Sequence, residues 1–219
     1  MKEQIFKANR KFKAILLAIL MLIIISCGNN PVTTREKGYE MLLEVGNEWI
    51  YSVEGFRVVN GDTLSAYGSL TKTVTALVSH SEGFDLYHIE ELFSITIEDS
   101  IISTTKSYFL ANQSDELRLY EDTLIIDYFI PIKYNAQKHD SWIPGQNTSE
   151  KIEVMGLYNM IDVPFDVFHS CLCTKMTNSG LPELMYRYYW GNHSEGVICY
   201  VEQDAGYYYI FKLTELTFY

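Results

Sequence analysis

His169, Cys171 and Cys173 stand at alternate positions in the sequence, residue types that bind transition metals. On an extended strand all three share one face, but the outer two Cα atoms lie roughly 13 Å apart. A tetrahedral ion with ligand bonds of about 2.0–2.3 Å cannot collect them without a bulge, so no metal is expected there. Cys171 and Cys173 are likewise about 6.6 Å apart on one face, too far for an unstrained disulfide. Either could bridge to Cys199 only if their strands were neighbours, and the apolar segment 184–190 lies between them in sequence. One thiol of the three stays free in any pairing. Glu90-Glu91 and Glu121-Asp122 are adjacent carboxylates. Neighbours on a strand face opposite sides, so neither pair can work as an acid and base across one substrate, and both read as solvated charge. His80 and His193 fall in turn-like HSEG segments and read as solvated surface. The sequence contains no HExxH, no GxSxG and no glycine-rich phosphate loop. No catalytic residue and no cofactor is implied.

The remaining thiol, Cys27, has a different setting. Lys2, Lys7, Arg10, Lys11 and Lys13 precede twelve unbroken apolar residues, Ala14 to Ile25, then Ser26 and Cys27. As a helix that run covers about 18 Å, short of a bilayer core of about 30 Å. A basic head, a short apolar run and a small residue at its end form the pattern of an export signal. A buried core helix would need an amphipathic face, and this run is apolar all round.

Ile24-Ile25-Ser26-Cys27 resembles the lipobox of bacterial lipoproteins. The resemblance implies a diacylglyceryl thioether on Cys27, cleavage before it, and acylation of the new amino terminus. Several acyl chains, at about 0.8 kcal/mol per buried CH₂, hold a protein on a membrane where one chain would not. Residues 1–26 are then the lipoprotein signal peptide. Gly28-Asn29-Asn30 lacks the Asp after Cys27 that retains enteric lipoproteins in the inner membrane, which favours the outer membrane. Losing residues 1–26 removes five basic and one acidic residue from totals of 17 and 28. The remaining 193 residues carry 12 and 27, a net −15. A surface so acidic is repelled by phosphate backbones and anionic headgroups, so nucleic acid is excluded and the lipid must supply membrane attachment.

Residues 27–40 are the lipidated Cys27 and a polar tether with Gly and Pro. From 41 to 219 strand-like runs alternate with turn clusters, in a composition of 17 Tyr, 11 Phe and 3 Trp that suits pleated surfaces. Asn60-Gly61 signals a tight hairpin. Tyr87, Ile89, Phe93, Ile95 and Ile97 share one parity, with Glu91 the lone exception. Pro131 marks an edge or a bend. Helix is scarce, with residues 38–45 the one short candidate. The reading is an all-β domain: a single antiparallel, strongly curved sheet, a half-barrel or barrel-like meander of about ten strands. Trp49 and Trp142 each open an apolar run, and are expected to plug the core with the indole N–H reaching backbone; ligand stacking is the alternative.

VGNEWIYSVEGF (45–56), HDSWIPG (139–145), VPFDVFHSCLC (163–173) and MYRYYWGNHSEGV (185–197) together resemble uncharacterised bacterial envelope lipoproteins with GNxWxY and VPxGxF motifs. That likeness implies a strongly curved antiparallel sheet, similar to the half-barrels of lipoprotein carriers, and no established activity. The leading expectation is a non-catalytic, membrane-anchored envelope lipoprotein that binds an apolar ligand or a partner protein. The alternatives are a structural lipoprotein acting through its surface in an envelope complex, or a cell-envelope hydrolase.

Overall fold

The structure, a computed structural model, describes residues 41–124, 127–146, 148–191 and 194–219. The signal peptide at 1–26, the lipidation site Cys27, the tether at 27–40 and His193 lie outside the described residues. Twelve strands follow one another: β1 (Glu48–Val59), β2 (Asp62–Ser79), β3 (Asp85–Ile97), β4 (Ser100–Gln113), β5 (Glu116–Tyr120), β6 (Phe129–Lys133), β7 (Ser141–Trp142), β8 (Glu150–Asp162), β9 (Val167–Asn178), β10 (Leu181–Trp190), β11 (Val197–Gln203) and β12 (Tyr207–Thr217). The described residues contain no helix, and 41–45, part of the one helical candidate, are irregular. The count exceeds the expected ten in part because Ser141–Trp142 is too short to show a pattern of its own.

All twelve strands join one antiparallel sheet in the order β6-β5-β4-β3-β2-β1-β12-β11-β10-β9-β8-β7. The first and last strands pair at its centre, and the two edges are the successive strands β6 and β7. Among the described residues no ladder joins those edges, so the sheet is open. They are nonetheless tied: the Ile130 N–H donates to the Pro144 carbonyl at 2.6 Å, and the Trp142 indole N–H donates to the Ile130 carbonyl at 2.8 Å. Pro131 sits on edge strand β6, where a missing ladder donor costs least.

The curl follows from alternation and from two glycines. On β1, Trp49, Tyr51 and Val53 are buried while their neighbours are less so, the period-two pattern of a strand with one face inward. A Cβ on Gly55 would lie 1.9 Å from the Tyr208 carbonyl oxygen of β12, and one on Gly68 would lie 2.0 Å from that of Ser94 on β3. The backbones crowd where the sheet bends sharply, as interior strand glycines permit. Phe93 of β3 then meets Phe211 of β12 with ring centroids 6.0 Å apart, although β2 and β1 intervene in the ladder. The β1–β2 turn has Asn60 at φ 55° and Gly61 at φ 91°, the two positive values that an Asn-Gly hairpin needs.

The concave core runs through Trp49, Tyr51, Leu70, Ile89, Ile152, Ile198 and Leu213, all nearly inaccessible to water. One end of the curl is covered by residues 41–47. There the Leu42 N–H donates to the Ser194 carbonyl at 3.0 Å, and the Asn112 amide donates to the Met41 carbonyl at 2.8 Å. The β8–β9 turn reaches over the same end, with the Phe165 N–H donating to the Leu213 carbonyl at 3.1 Å. A smaller cluster on the convex face joins Leu86, Ala111 and Tyr120. His80 belongs with it rather than to the solvated surface: it is 3% exposed and stacks on Phe84 at 4.3 Å. Its Nδ1 accepts the Glu82 N–H at 3.1 Å, so the imidazole holds the turn from inside.

Candidate functional site

Among the mostly apolar inward rows, β2 and β3 carry Lys72 and Glu91. These two are register partners, and Lys72 Nζ lies 3.1 Å from Glu91 Oε2, with the side chains 23% and 17% exposed. Glu91 is therefore not the solvated charge expected of the 90–91 pair. It continues the inward parity of Tyr87, Ile89 and Phe93, and only its neighbour Glu90 faces out. The Tyr108 hydroxyl on β4 donates to the same carboxylate oxygen at 3.4 Å. From the far wall, the Tyr200 ring lies 5.7 Å below Lys72 Nζ, a cation–π contact that spans the concavity.

Tyrosines build that far wall. Tyr186 and Tyr188 on β10, two apart and so on one face, stack with centroids 6.2 Å apart. Tyr188 stacks on Tyr200 at 5.5 Å, and Tyr200 on Phe211 at 4.0 Å with the planes nearly parallel. Tyr207 and Tyr209 form a second stack at 5.0 Å, and the Tyr207 hydroxyl donates to Glu202 at 2.7 Å. Between this wall and β3–β4 runs an open groove of about 270 Å³, lined by apolar side chains that include Leu70, Phe93, Ile95 and Ile102, with Arg57, Thr104 and Lys106 also present. A second hollow of about 500 Å³ beside Leu181, Leu184 and Tyr186 shares Tyr207 as a wall.

Burial pushes the phenols of Tyr51, Tyr108, Tyr188 and Tyr200 above their ordinary range, and Lys72 pulls each only partly back. For Lys72, burial alone would favour the neutral amine, but the Tyr108 oxygen and the Glu91 carboxylate outweigh it and hold the ammonium. At neutral pH the four phenols are uncharged and Lys72 is a cation. They can stack and hydrogen-bond, but none is poised to exchange a proton near neutrality.

The residues singled out in the sequence fall elsewhere. Cys173 and Cys199 both pair in register with Tyr189, one on each side, so β10 separates them and no bridge forms. Cys171, Cys173 and Cys199 are free thiols. Burial raises Cys171 to about 12 and the other two to about 11, which makes all three inert at neutral pH. His169 is exposed, with Nδ1 3.0 Å from the Asn159 carbonyl. Among the described residues no three His, Cys, Asp or Glu side chains converge as a metal site. Trp49 and Trp142 pack in the core, and their indoles donate to the Glu195 and Ile130 carbonyls at 2.7 and 2.8 Å. Lys72 and the tyrosine wall had escaped the sequence reading. The signal for them was polar residues inside otherwise apolar period-two rows.

Fold and groove together define an open, curled antiparallel meander with an aromatic-lined cleft. No family model matches the chain, and no curated protein matches it. Among solved structures, the chain is similar to a Bacteroides fragilis protein named as exported, with a YmcC-like fold: TM-score 0.47, 7% identity, 83% of this chain and 100% of that one. It is also similar to a Parabacteroides distasonis protein named as a lipoprotein: TM-score 0.46, 12% identity, 83% and 99% covered. At these identities and scores the likenesses assign neither family nor activity to this chain.

Proposed function

We propose that the protein is an exported, lipid-anchored envelope protein, held through Cys27 with the outer membrane favoured over the inner, whose curled sheet binds an apolar ligand without catalysis. The groove is the observation that carries the binding part. Leu70, Phe93, Ile95 and Phe211 give it apolar walls, and the stacked tyrosines give it flat ones. Such walls, with a few polar groups among them, are the usual make-up of a small-molecule site. A non-catalytic role is supported by the buried Tyr200 phenol in the groove and the adjoining Lys72 ammonium, whose pKa values lie far from neutrality. The anchor rests on the sequence from Lys2 to Cys27.

Titration with the uncharged dye N-phenyl-1-naphthylamine tests the groove. Its fluorescence rises on binding to the protein, and Thr104→Trp, which fills the groove from an exposed position, abolishes the rise. An unresponsive dye, or equal binding by the variant, sinks the reading. Mass analysis of the cellular form tests the anchor, which requires a diacylglyceryl group on Cys27 as the first residue.

A second reading, assembly through the surface, has its own observation. Leu157, Tyr158, Met160, Phe165 and Val167 are exposed on the β8–β9 hairpin, and exposed apolar side chains gathered in one place mark interaction surfaces. Crosslinking in cells followed by capture tests it, and a stoichiometric protein attached to this hairpin favours assembly over ligand binding.

A further inference from the structure

We infer that the ligand of the groove is an amphipathic anion: an apolar chain or ring carrying one carboxylate or phosphate head. This rests on the groove reading above and adds the sign of the charge. Four charged side chains line the groove: Arg57, Lys106, Glu91 and Glu202. The charge of Glu91 is offset inside the protein, and Glu202 is hydrogen-bonded but keeps its charge. Glu91 is bonded by Lys72 at 3.1 Å and by Tyr108 at 3.4 Å, and Glu202 accepts the Tyr207 hydroxyl at 2.7 Å. Lys106 is the register partner of Glu91 on β4, yet the carboxylate turns to Lys72. Arg57 pairs in register with Tyr207 and lies beside Tyr209. Neither Arg57 nor Lys106 forms an ion pair among the described residues.

The groove therefore presents two cations outside any ion pair among the described residues, at the rim of an apolar floor, in a chain of net charge −11. An acidic molecule as a whole steers anions away, and beyond about 8–10 Å salt screens that field. Within the groove Lys72 offsets Glu91, and Arg57 and Lys106 outnumber Glu202, so the local balance is positive. Arg57 offers a planar fork suited to carboxylate or phosphate, and Lys106 a point charge. Leu70, Phe93, Ile95 and Ile102 take the apolar body. The volume of about 270 Å³ corresponds to about nine waters at roughly 30 Å³ each, enough for a short chain or a single ring.

Displacement of N-phenyl-1-naphthylamine from the protein by four eight-carbon probes tests this: octanoate, octyl phosphate, octan-1-ol and octylammonium. Octanoate or octyl phosphate should displace the dye at concentrations at least tenfold lower than octylammonium, and the stronger of the two anions identifies the head. Arg57→Gln with Lys106→Gln should reduce the advantage of the anions over octan-1-ol about tenfold, the scale of a charge-assisted hydrogen bond, each affinity being taken relative to the variant's own dye binding. Anion, alcohol and ammonium displacing equally, or a double variant whose anions keep their full advantage over octan-1-ol, overturns the inference and leaves the apolar groove standing. Failure of the dye itself to bind overturns both.

Discussion

Lys72 and Glu91 face each other in register, 3.1 Å apart, in rows whose other members include Leu70, Val74, Ile89 and Phe93. An ion pair set into such rows is costly to break on one side only, because the remaining charge keeps its desolvation and loses its partner. Both side chains keep some contact with water, so the penalty is below that of a sealed pair. Glu91→Gln should lower stability by about 1–2 kcal/mol, and Lys72→Met with Glu91→Leu should recover most of it. Urea denaturation of the three proteins measures both. A double variant no better than the single one would show that the pair itself, and not its imbalance, supports the fold.

Alkaline pH should destabilise the protein well before acid does anything comparable through these groups. Cys171 rises from 9.0 to about 12 and Tyr186 from 10.0 to about 12, mainly through burial, and Cys173 and Cys199 to about 11. A group with a raised folded pKa contributes stability fully below its unfolded pKa, and that contribution is lost as pH climbs towards the folded value. Lys72 shifts in the same direction. Melting temperature should accordingly fall from about pH 9 upwards, and the part of the tyrosinate absorbance that belongs to buried phenols such as Tyr51, Tyr186, Tyr188 and Tyr200 should appear late and together with unfolding.

The thiols give a separate expectation. Cys171 and Cys173 are buried and Cys199 is partly so, and all three are mostly protonated at pH 8. Iodoacetamide at that pH should leave Cys171 and Cys173 unmodified in the folded protein and label all three in urea, as read by peptide mass. Oxidation should yield no Cys173–Cys199 bridge, because β10 stands between them. Finding that bridge in the folded protein would contradict the strand order.

Two glycines test the bend. Alanine at Gly55 would place its Cβ against a backbone oxygen at 1.9 Å, which cannot move away cheaply as a side-chain tip could. Gly55→Ala should cost about 3 kcal/mol, the upper end of ordinary overpacking. Gly145→Ala, where the nearest atom is 3.6 Å away, should be close to neutral.

The seam between the sheet edges is the last. Trp142→Phe keeps most of the packing but removes the donor to Ile130. It should cost about 1 kcal/mol, and amide exchange at Ile130, whose N–H bonds the Pro144 carbonyl, should accelerate more than exchange in β1 or β12.

Much of this architecture was legible in the residues. The Asn60-Gly61 turn, the inward parity of β3, the edge position of Pro131 and the buried indoles of Trp49 and Trp142 all follow from local rules. What escaped depended on which strands curl towards which. Glu91 broke a period-two row, and read alone such a break looks like surface charge. It becomes intelligible only when β2 supplies Lys72 and β11 brings Tyr200 across the concavity. His80 failed for a related reason: its turn is polar in sequence, but Phe84 and Tyr120 fold over it. Ser141–Trp142 is too brief for any periodicity, and only its partner Ile152 defines it as a strand.

The pairing of Glu48–Val59 with Tyr207–Thr217 at the middle of the sheet has a kinetic corollary. On a chain emerging from the ribosome β1 has β2 as its neighbour at once but lacks its second neighbour until residues 207–217 are made, and contacts so distant along the chain form slowly. Joining of the two halves, β1–β6 and β7–β12, is thus the late step, while within each half every ladder links strands that follow one another in the chain.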